Sequence, residues 1–517
     1  MKKDMKRILF ACVALCCMTA TAVAQKNATQ KIIEMGRTDN QVMEHLDVLC
    51  NRIGGRVIGS NAYDNAVEWV AAKFKEWGLE VEVQEAGTLP VGFNRGPWFG
   101  RVLGEKNMQL HFATPAYTVG TKGVQRGHVL LEPMSQGEFD LMKSRLKGAW
   151  VLVNGTSNGF AIDRSAKGDS IRRVTLMKND SIRKLNQQIT ADNRKNNTNN
   201  PTIPLITDVP ALFYKEMCEA GVLGFIQSAK VPLQAHFDRT VLTDPTFTFD
   251  NLPKACDIKL DEHQYAEIKQ LVKERHTFFL EFEIRNHFRM GPVKYHNVIG
   301  KIRGTKYPDE YVMASAHLDA YDVGTGAIDC GAGMTSVIEA ARLVAMSGAK
   351  PKRSMIFFAF AGEEFGLLGA QAWVKANKDK LKNISNLFNR DGGPLPPVGI
   401  RVPKAMYQDF VKICEPIKSI NPDFPFEVKE VGPFKQTKKL WGTDASVFEI
   451  EGVPVIPLDE RDVKGYDYNY RETYHSERDT YNKSIPEYQK HAATVMAVIT
   501  LGVANLDHLL SREGLYE

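Results

Sequence analysis

Four short stretches of this 517-residue chain carry residue types able to do chemistry together: HLDAYDVGTGAID (317–329), AGEE (361–364), RDGG (390–393) and YHSERD (474–479). His317 follows YVMASA, an apolar run with no other ionisable group. A His there is either a core residue with a hydrogen-bonded ring or a metal ligand. Asp319 favours the ligand, because metal-bound imidazoles donate their second N–H to a carboxylate or carbonyl and His-x-Asp supplies one locally. Asp329 reads either as a helix N-cap or as a carboxylate bridging two metals. Glu363 and Glu364 end the apolar run SMIFFAFAG, where two unpaired charges are costly. A metal is the simplest compensation, with one Glu ligating while its neighbour, pointing elsewhere, faces metal-bound water. Taken singly, Asp391 is a turn Asp and His475 a solvated surface His. Taken together, two His and three carboxylates at strand-to-loop junctions suit zinc better than the all-oxygen shells of calcium or magnesium.

The elements that must position these residues are legible around them. VKYHNVIGKIRG and YVMASAH read as strands, GAGMTSVIEAARLVAMSG as a helix, SMIFFAFA as a fully buried strand and LLGAQAWVKANK as a helix. Buried strands alternating with helices imply α/β, with ligands at the strand carboxyl ends. The last helix is expected to open on a capping box of Ser484 and Glu487 and to carry one apolar stripe through Val495, Val498, Ile499, Val503, Leu506 and Leu510. Near the N-terminus, a helix around QVMEHLDVLC, a Gly-rich turn at IGGR, a second helix with Trp69, Val70, Phe74 and Trp77 at helical spacing, and the alternating strand LEVEVQEA follow one another. Between about 95 and 255 the texture changes to short β-like runs, GHVLLEP, GAWVLVNG and VLGFIQS, and a polar stretch, QITADNRKNNTNNP, that reads as a mobile loop.

Composition bounds the function. A 43% hydrophobic and 25% charged chain is globular, and its length calls for two domains or a large insertion. MKKDMKR followed by ILFACVALCCMTATAVA, closing on Ala22, Val23 and Ala24, reads as a secretory signal cleaved before Gln25, so that the mature protein is exported to the periplasm or beyond the cell. That segment sets Lys2, Lys3, Lys6 and Arg7 against Asp4 alone, and the remainder carries 62 basic and 60 acidic residues. Such a balance gives no reason to expect nucleic acid or a membrane surface as partner. Cys50, Cys218, Cys256, Cys330 and Cys414 remain, an odd and widely spaced set that is no disulfide framework.

HLDAYDVGTGAIDCGAG, FAGEE, RDGG and YHSERDT, in that order, resemble the dizinc aminopeptidase family of exopeptidases, most closely its carboxypeptidase Q-like branch. The motifs cover about 290 to 480. The resemblance implies a mixed, mostly parallel sheet flanked by helices, of the phosphorylase/hydrolase-like kind. Beyond the signal peptide (1–24), it divides the chain into an N-terminal part of the catalytic domain (25–94), a protease-associated-like mixed-β insert (95–255) and the catalytic domain proper (256–517). It also implies two zinc ions, one held by His317 and Asp391 and the other by Glu364 and His475, with Asp329 bridging, Glu363 as general base and Asp319 orienting His317. Family members often carry Asn or Asp after the bridging Asp, where a cis peptide bond is common; here it is Cys330.

The expected reaction is hydrolysis of N-terminal peptide bonds in dipeptides or short peptides, by a shared zinc-bound water whose pKa falls toward about 7. A free α-amino group needs a carboxylate near the metals, which the cluster supplies. Two other readings compete: a glutaminyl cyclase-like enzyme with a single zinc, and a non-catalytic binding module of receptor type. Zinc counting discriminates the first, and a hydrolysis assay with and without chelator the second. The oligomeric state, a homodimer included, stays open.

Overall fold

The computed structural model describes residues 27–104, 106–207, 211–238 and 240–517; the signal segment expected at 1–24 lies outside them. Among the described residues, no helix is long and apolar enough to cross a membrane.

The half of the chain that carries the motifs is built on a five-stranded sheet of β1 (Glu80–Leu89), β2 (Val293–Ile302), β3 (Tyr307–His317), β4 (Arg353–Phe360) and β5 (Ile384–Asn389), in the order β1-β2-β4-β3-β5. β3 pairs parallel with β4 and with β5, while β2 runs antiparallel to both β1 and β4. Four strands therefore share one direction, yet only half of the four pairings are parallel. β4 is buried along its whole length, as its unbroken apolar sequence requires. Its side chains alternate between two cores. Phe357 and Ala359 face the helices Asn61–Glu76, Gly333–Met346 and Pro486–Ala504, whereas Ile356, Phe358 and Phe360 pack with Trp373 and Phe448 on the other side.

The final helix departs from expectation. It starts at Pro486 with Ile485 at the N-cap and no side-chain cap, because proline's fixed φ favours the first helical position and leaves Ser484 one residue too early to cap. The helix ends at Ala504, short of Leu506 and Leu510, and is buried on nearly every side rather than along a stripe.

Between β1 and β2 the chain forms a β module of two further sheets. One joins Phe112–Ala113, Cys256–Asp261, Gly224–Ala229, Trp150–Ser157 and Val129–Leu131; the other joins Met108–Gln109, Trp98–Gly104, Phe278–Ile284 and Gln125–Gly127. Cys256–Asp261 and Phe278–Ile284 thus belong to this module, and the boundary expected at 255 falls inside it. Pairing across 130 residues, such as Trp150 Nε1 donating to the Leu280 carbonyl at 3.2 Å, leaves no local mark in the sequence. The chain enters and leaves the module through one small antiparallel pair, Gly92–Asn94 with His287–Arg289.

Most of the stretch expected to be a mobile loop, as far as Asn196, is instead the end of a 31-residue helix, Ala166–Asn196, opened by Ser165 capping the Gly168 N–H at 3.1 Å. Three asparagines spaced by seven explain its order. Asn179, Asn186 and Asn193 each bind both the N–H and the carbonyl of one residue of the returning chain, Ile206, Ile203 and Asn200 respectively, with all six distances between 2.8 and 3.1 Å.

Candidate metal centre

β4, β3 and β5 lie side by side and point the same way, so their carboxyl ends form one rim. His317 is the last residue of the middle strand; Glu363 and Glu364 follow the strand on one side of it and Asp391 the strand on the other. Asp329 and His475 come from loops beyond the rim. The six sequence-predicted side chains that do not include Asp319 meet there, and five of them converge directly. His317 Nε2 lies 3.1 Å from Asp329 Oδ1 and 3.3 Å from Asp391 Oδ1. His475 Nε2 lies 3.0 Å from Glu364 Oε2 and 3.3 Å from Asp329 Oδ2. The two oxygens of Asp329 thus face different imidazoles, one on each side.

Asp319 behaves differently from the expectation. His317 Nδ1 donates to the Asp319 backbone carbonyl at 3.0 Å, with the carboxylate 3.6 Å away. The carboxylate accepts instead from the backbone N–H groups of Glu363 (3.1 Å) and Glu364 (3.3 Å), tying the β3 and β4 loops together. Asp479 does the same for Asp329, accepting from Ile328 N at 2.6 Å and Asp329 N at 3.1 Å. The Asp329–Cys330 peptide is cis. Cys330 is buried, which pushes its thiol up, and Sγ–H donates to the Arg390 carbonyl at 3.3 Å.

The donor set fits a pair of divalent cations. Burial pushes the Glu364 carboxyl up to about 7 and that of Glu363 up to about 11, while Asp444 stands well above the carboxylate range for the same reason. Asp329 is the exception: burial raises it too, but the hydrogen bonds from His317 and His475 outweigh that and hold it low. Among the described residues, Glu364 Oε1 has no hydrogen-bond partner, and neither does either oxygen of Asp444. Buried carboxylates with orphaned oxygens lose more by desolvation than two imidazoles return. Cations seated between His317, Asp329, Asp391, Glu364 and His475 would remove that penalty, since a carboxylate that splits its oxygens between two donors has the geometry of a bridge.

The cluster floors a cavity of about 850 Å³ whose walls include Phe160 and Phe237 from the β module and Trp441, Tyr470 and Tyr474 from the C-terminal half.

Three residues that support the centre could not be assigned that role from the sequence. Asp444 is buried among carboxylates, and the Tyr470 hydroxyl lies 3.5 Å from Asp329 Oδ2. Arg56, fully buried after the IGG turn, donates to four carbonyls: Leu318 at 2.6 Å, Thr325 and Gly326 at 3.1 Å each, and Gly54 at 3.3 Å. It thereby fixes both ends of the loop between His317 and Asp329. Arg56→Met keeps the stem but leaves those carbonyls unsatisfied, and should cost about 3 kcal/mol or more, read by urea unfolding of the metal-free protein. An unchanged midpoint would remove Arg56 from this role.

The chain is similar to known proteins both in sequence and in fold. Residues 297–500 match the model of peptidase family M28. The chain is 27% identical to mouse carboxypeptidase Q over 498 residues, covering 92% of this chain and 88% of that one. It is 30% identical to rat carboxypeptidase Q over 329 residues, 60% of this chain and just under two thirds, 64%, of the relative. In fold it resembles an M28 peptidase precursor from Shewanella amazonensis (TM-score 0.57, 20% identity, 95% of this chain and 99% of that one) and a zinc aminopeptidase from Bacillus subtilis (TM-score 0.51, 14% identity, 92% and 97%).

Proposed function

We propose, from the premise that this chain belongs to peptidase family M28 and is a zinc-dependent peptidase, that it is an exported exopeptidase removing N-terminal residues from dipeptides or short peptides. The observation that carries the reading is the split of Asp329 between His317 and His475, each of which also faces a second carboxylate. His317 and Asp391 would hold one zinc, Glu364 and His475 the other, with Asp329 between them. Bound there, a zinc pair supplies Lewis acidity toward a carbonyl oxygen and activates water.

The chain's own groups do the rest. Glu363 lines the cavity beside the ligands, where its carboxylate can take a proton from attacking water and hand it to the leaving amine. Asp319 fixes the turn that carries Glu363, through its backbone N–H. The carboxylates facing the cavity suit a substrate's α-ammonium group, and the aromatic walls exclude water from the peptide being cut. The β module, which we read as a protease-associated insert, contributes Phe160 and Phe237 to those walls.

The test is hydrolysis of a dipeptide panel by the zinc-loaded protein, beside N-acetylated versions of the same peptides. Free dipeptides should be cleaved and acetylated ones spared; a chelator should abolish cleavage and added zinc restore it. Equal cleavage of both sets would remove the N-terminal reading, and activity indifferent to chelator would remove the metal. A zinc content of two per chain also separates this reading from the single-zinc cyclase.

A further inference from the structure

The two imidazoles of the centre are held in different ways. His317 is the terminal residue of a buried strand, paired with Phe360 of β4, while the strand pairs with β5 as far as Ser315. His475 sits in a loop with φ +52°, a left-handed conformation that a non-glycine residue keeps only when its surroundings impose it. On the catalytic side that loop is tied by Thr325 N donating to the Asp479 carbonyl at 2.8 Å. On the other side it is tied to the β module.

Residues 233 and 234, which follow the module strand Gly224–Ala229, run antiparallel to 476 and 477, bridging at Gln234 and Ser476. Glu477 N donates to the Leu233 carbonyl at 2.9 Å, and Leu233 N donates to Glu477 Oε1 at 3.1 Å. Gln234 Nε2 donates to the Tyr474 carbonyl at 2.9 Å. The second Glu477 oxygen, Oε2, lies 2.8 Å from Nε2 of His111, whose Nδ1 lies 3.1 Å from Asp261 Oδ2. Asp261 is itself immobilised, because its other oxygen caps the helix Glu262–Lys273 at His263 N, 2.9 Å away. Both ring nitrogens of His111 donate at once only as the imidazolium, so a cation is locked between a capped Asp of the module and a Glu two residues from His475. His475 is further packed by the rings of His236 (5.2 Å between centroids) and Tyr321 (4.5 Å).

We propose that the β module acts as a clamp on the His475 loop, with His111 as its positioning residue, and that the clamp sets how firmly the His475 and Glu364 half of the centre holds a divalent cation while leaving the His317 and Asp391 half untouched. The asymmetry rests on His317 belonging to the sheet and His475 to a loop that the module holds. It also rests on reading the cluster as a two-cation centre, as proposed above. Groups that orient metal ligands from outside are worth about 10- to 100-fold in metal affinity, which sets the effect to look for.

The experiment is zinc titration of the full chain against a competing chelator, resolving two binding steps. His111→Leu removes both contacts and should weaken one step by about 10- to 100-fold, leaving the other within about twofold. Gln234→Ala, which deletes one exposed donor and does not threaten folding, should weaken the same step by a smaller factor. His111→Arg keeps a cation able to reach both carboxylates and should recover most of the loss. Two unchanged steps in both His111→Leu and Gln234→Ala, or equal weakening of both steps, would overturn the clamp. A parent protein that binds fewer than two zinc ions would overturn instead the two-cation reading beneath it.

Discussion

Replacing Glu363 with Gln is expected to lower kcat by about 10² to 10⁴ while zinc stays at two per chain and KM moves little. The amide matches the carboxyl in shape and can neither take nor carry the transferred proton. Its surroundings give no other reason for a loss. The backbone of Glu363 is held by Asp319 Oδ1 at its N–H and by Gly366 and Leu367 at its carbonyl, and none of these bonds involves the side chain. Burial favours the neutral carboxyl in the metal-free protein, so Gln mimics the state already present there, and metal-free stability should not fall. Kinetics and elemental analysis on one preparation read both halves of the prediction. Full turnover in the variant would take the proton away from Glu363.

Replacing Glu364 with Ala should have the opposite signature. Its Oε2 lies 3.0 Å from His475 Nε2, and its Oε1 is a buried oxygen with no partner among the described residues, as expected of a group whose natural partner is a cation. The variant should bind one zinc rather than two. Orienting groups outside a metal's first ring of ligands are worth about 10- to 100-fold, so loss of a direct donor should cost at least about 100-fold in activity. Two zinc ions retained in Glu364→Ala, with zinc lost in Glu363→Gln, would mean that the neighbouring carboxylates have exchanged roles.

The site was legible where a strand delivers it. His317 and the Glu363–Glu364 pair close runs so apolar that a polar residue at their ends demands a reason, and the parallel neighbours β3, β4 and β5 bring those ends together. His475 was recognisable by motif order alone, since what places it is Leu233 and Gln234, some 240 residues away. Arg56 read as a residue of a Gly-rich turn, because its four acceptors are backbone carbonyls that any sequence would offer. The extent of the β module was hidden for a related reason: Cys256–Asp261 alternates apolar and charged residues as strands of many sheets do, and only its pairing with Gly224–Ala229 shows where it belongs. At Ser484 a local motif was present and the backbone chose otherwise, because Pro486 fixes the helix start.

The paired asparagines on the long helix have a consequence for how that arm evolves in length. Seven helical residues rise about 10.5 Å, and three extended residues span roughly 9 to 10 Å, so each rung closes the same gap on both sides. Growth or shrinkage is therefore quantised: a seven-residue step outward must be matched by three on the way back, as Asn179, Asn186 and Asn193 are matched by Ile206, Ile203 and Asn200. A single-residue insertion on either side would put every rung beyond it out of step, whereas a whole unit would pass unnoticed at the root.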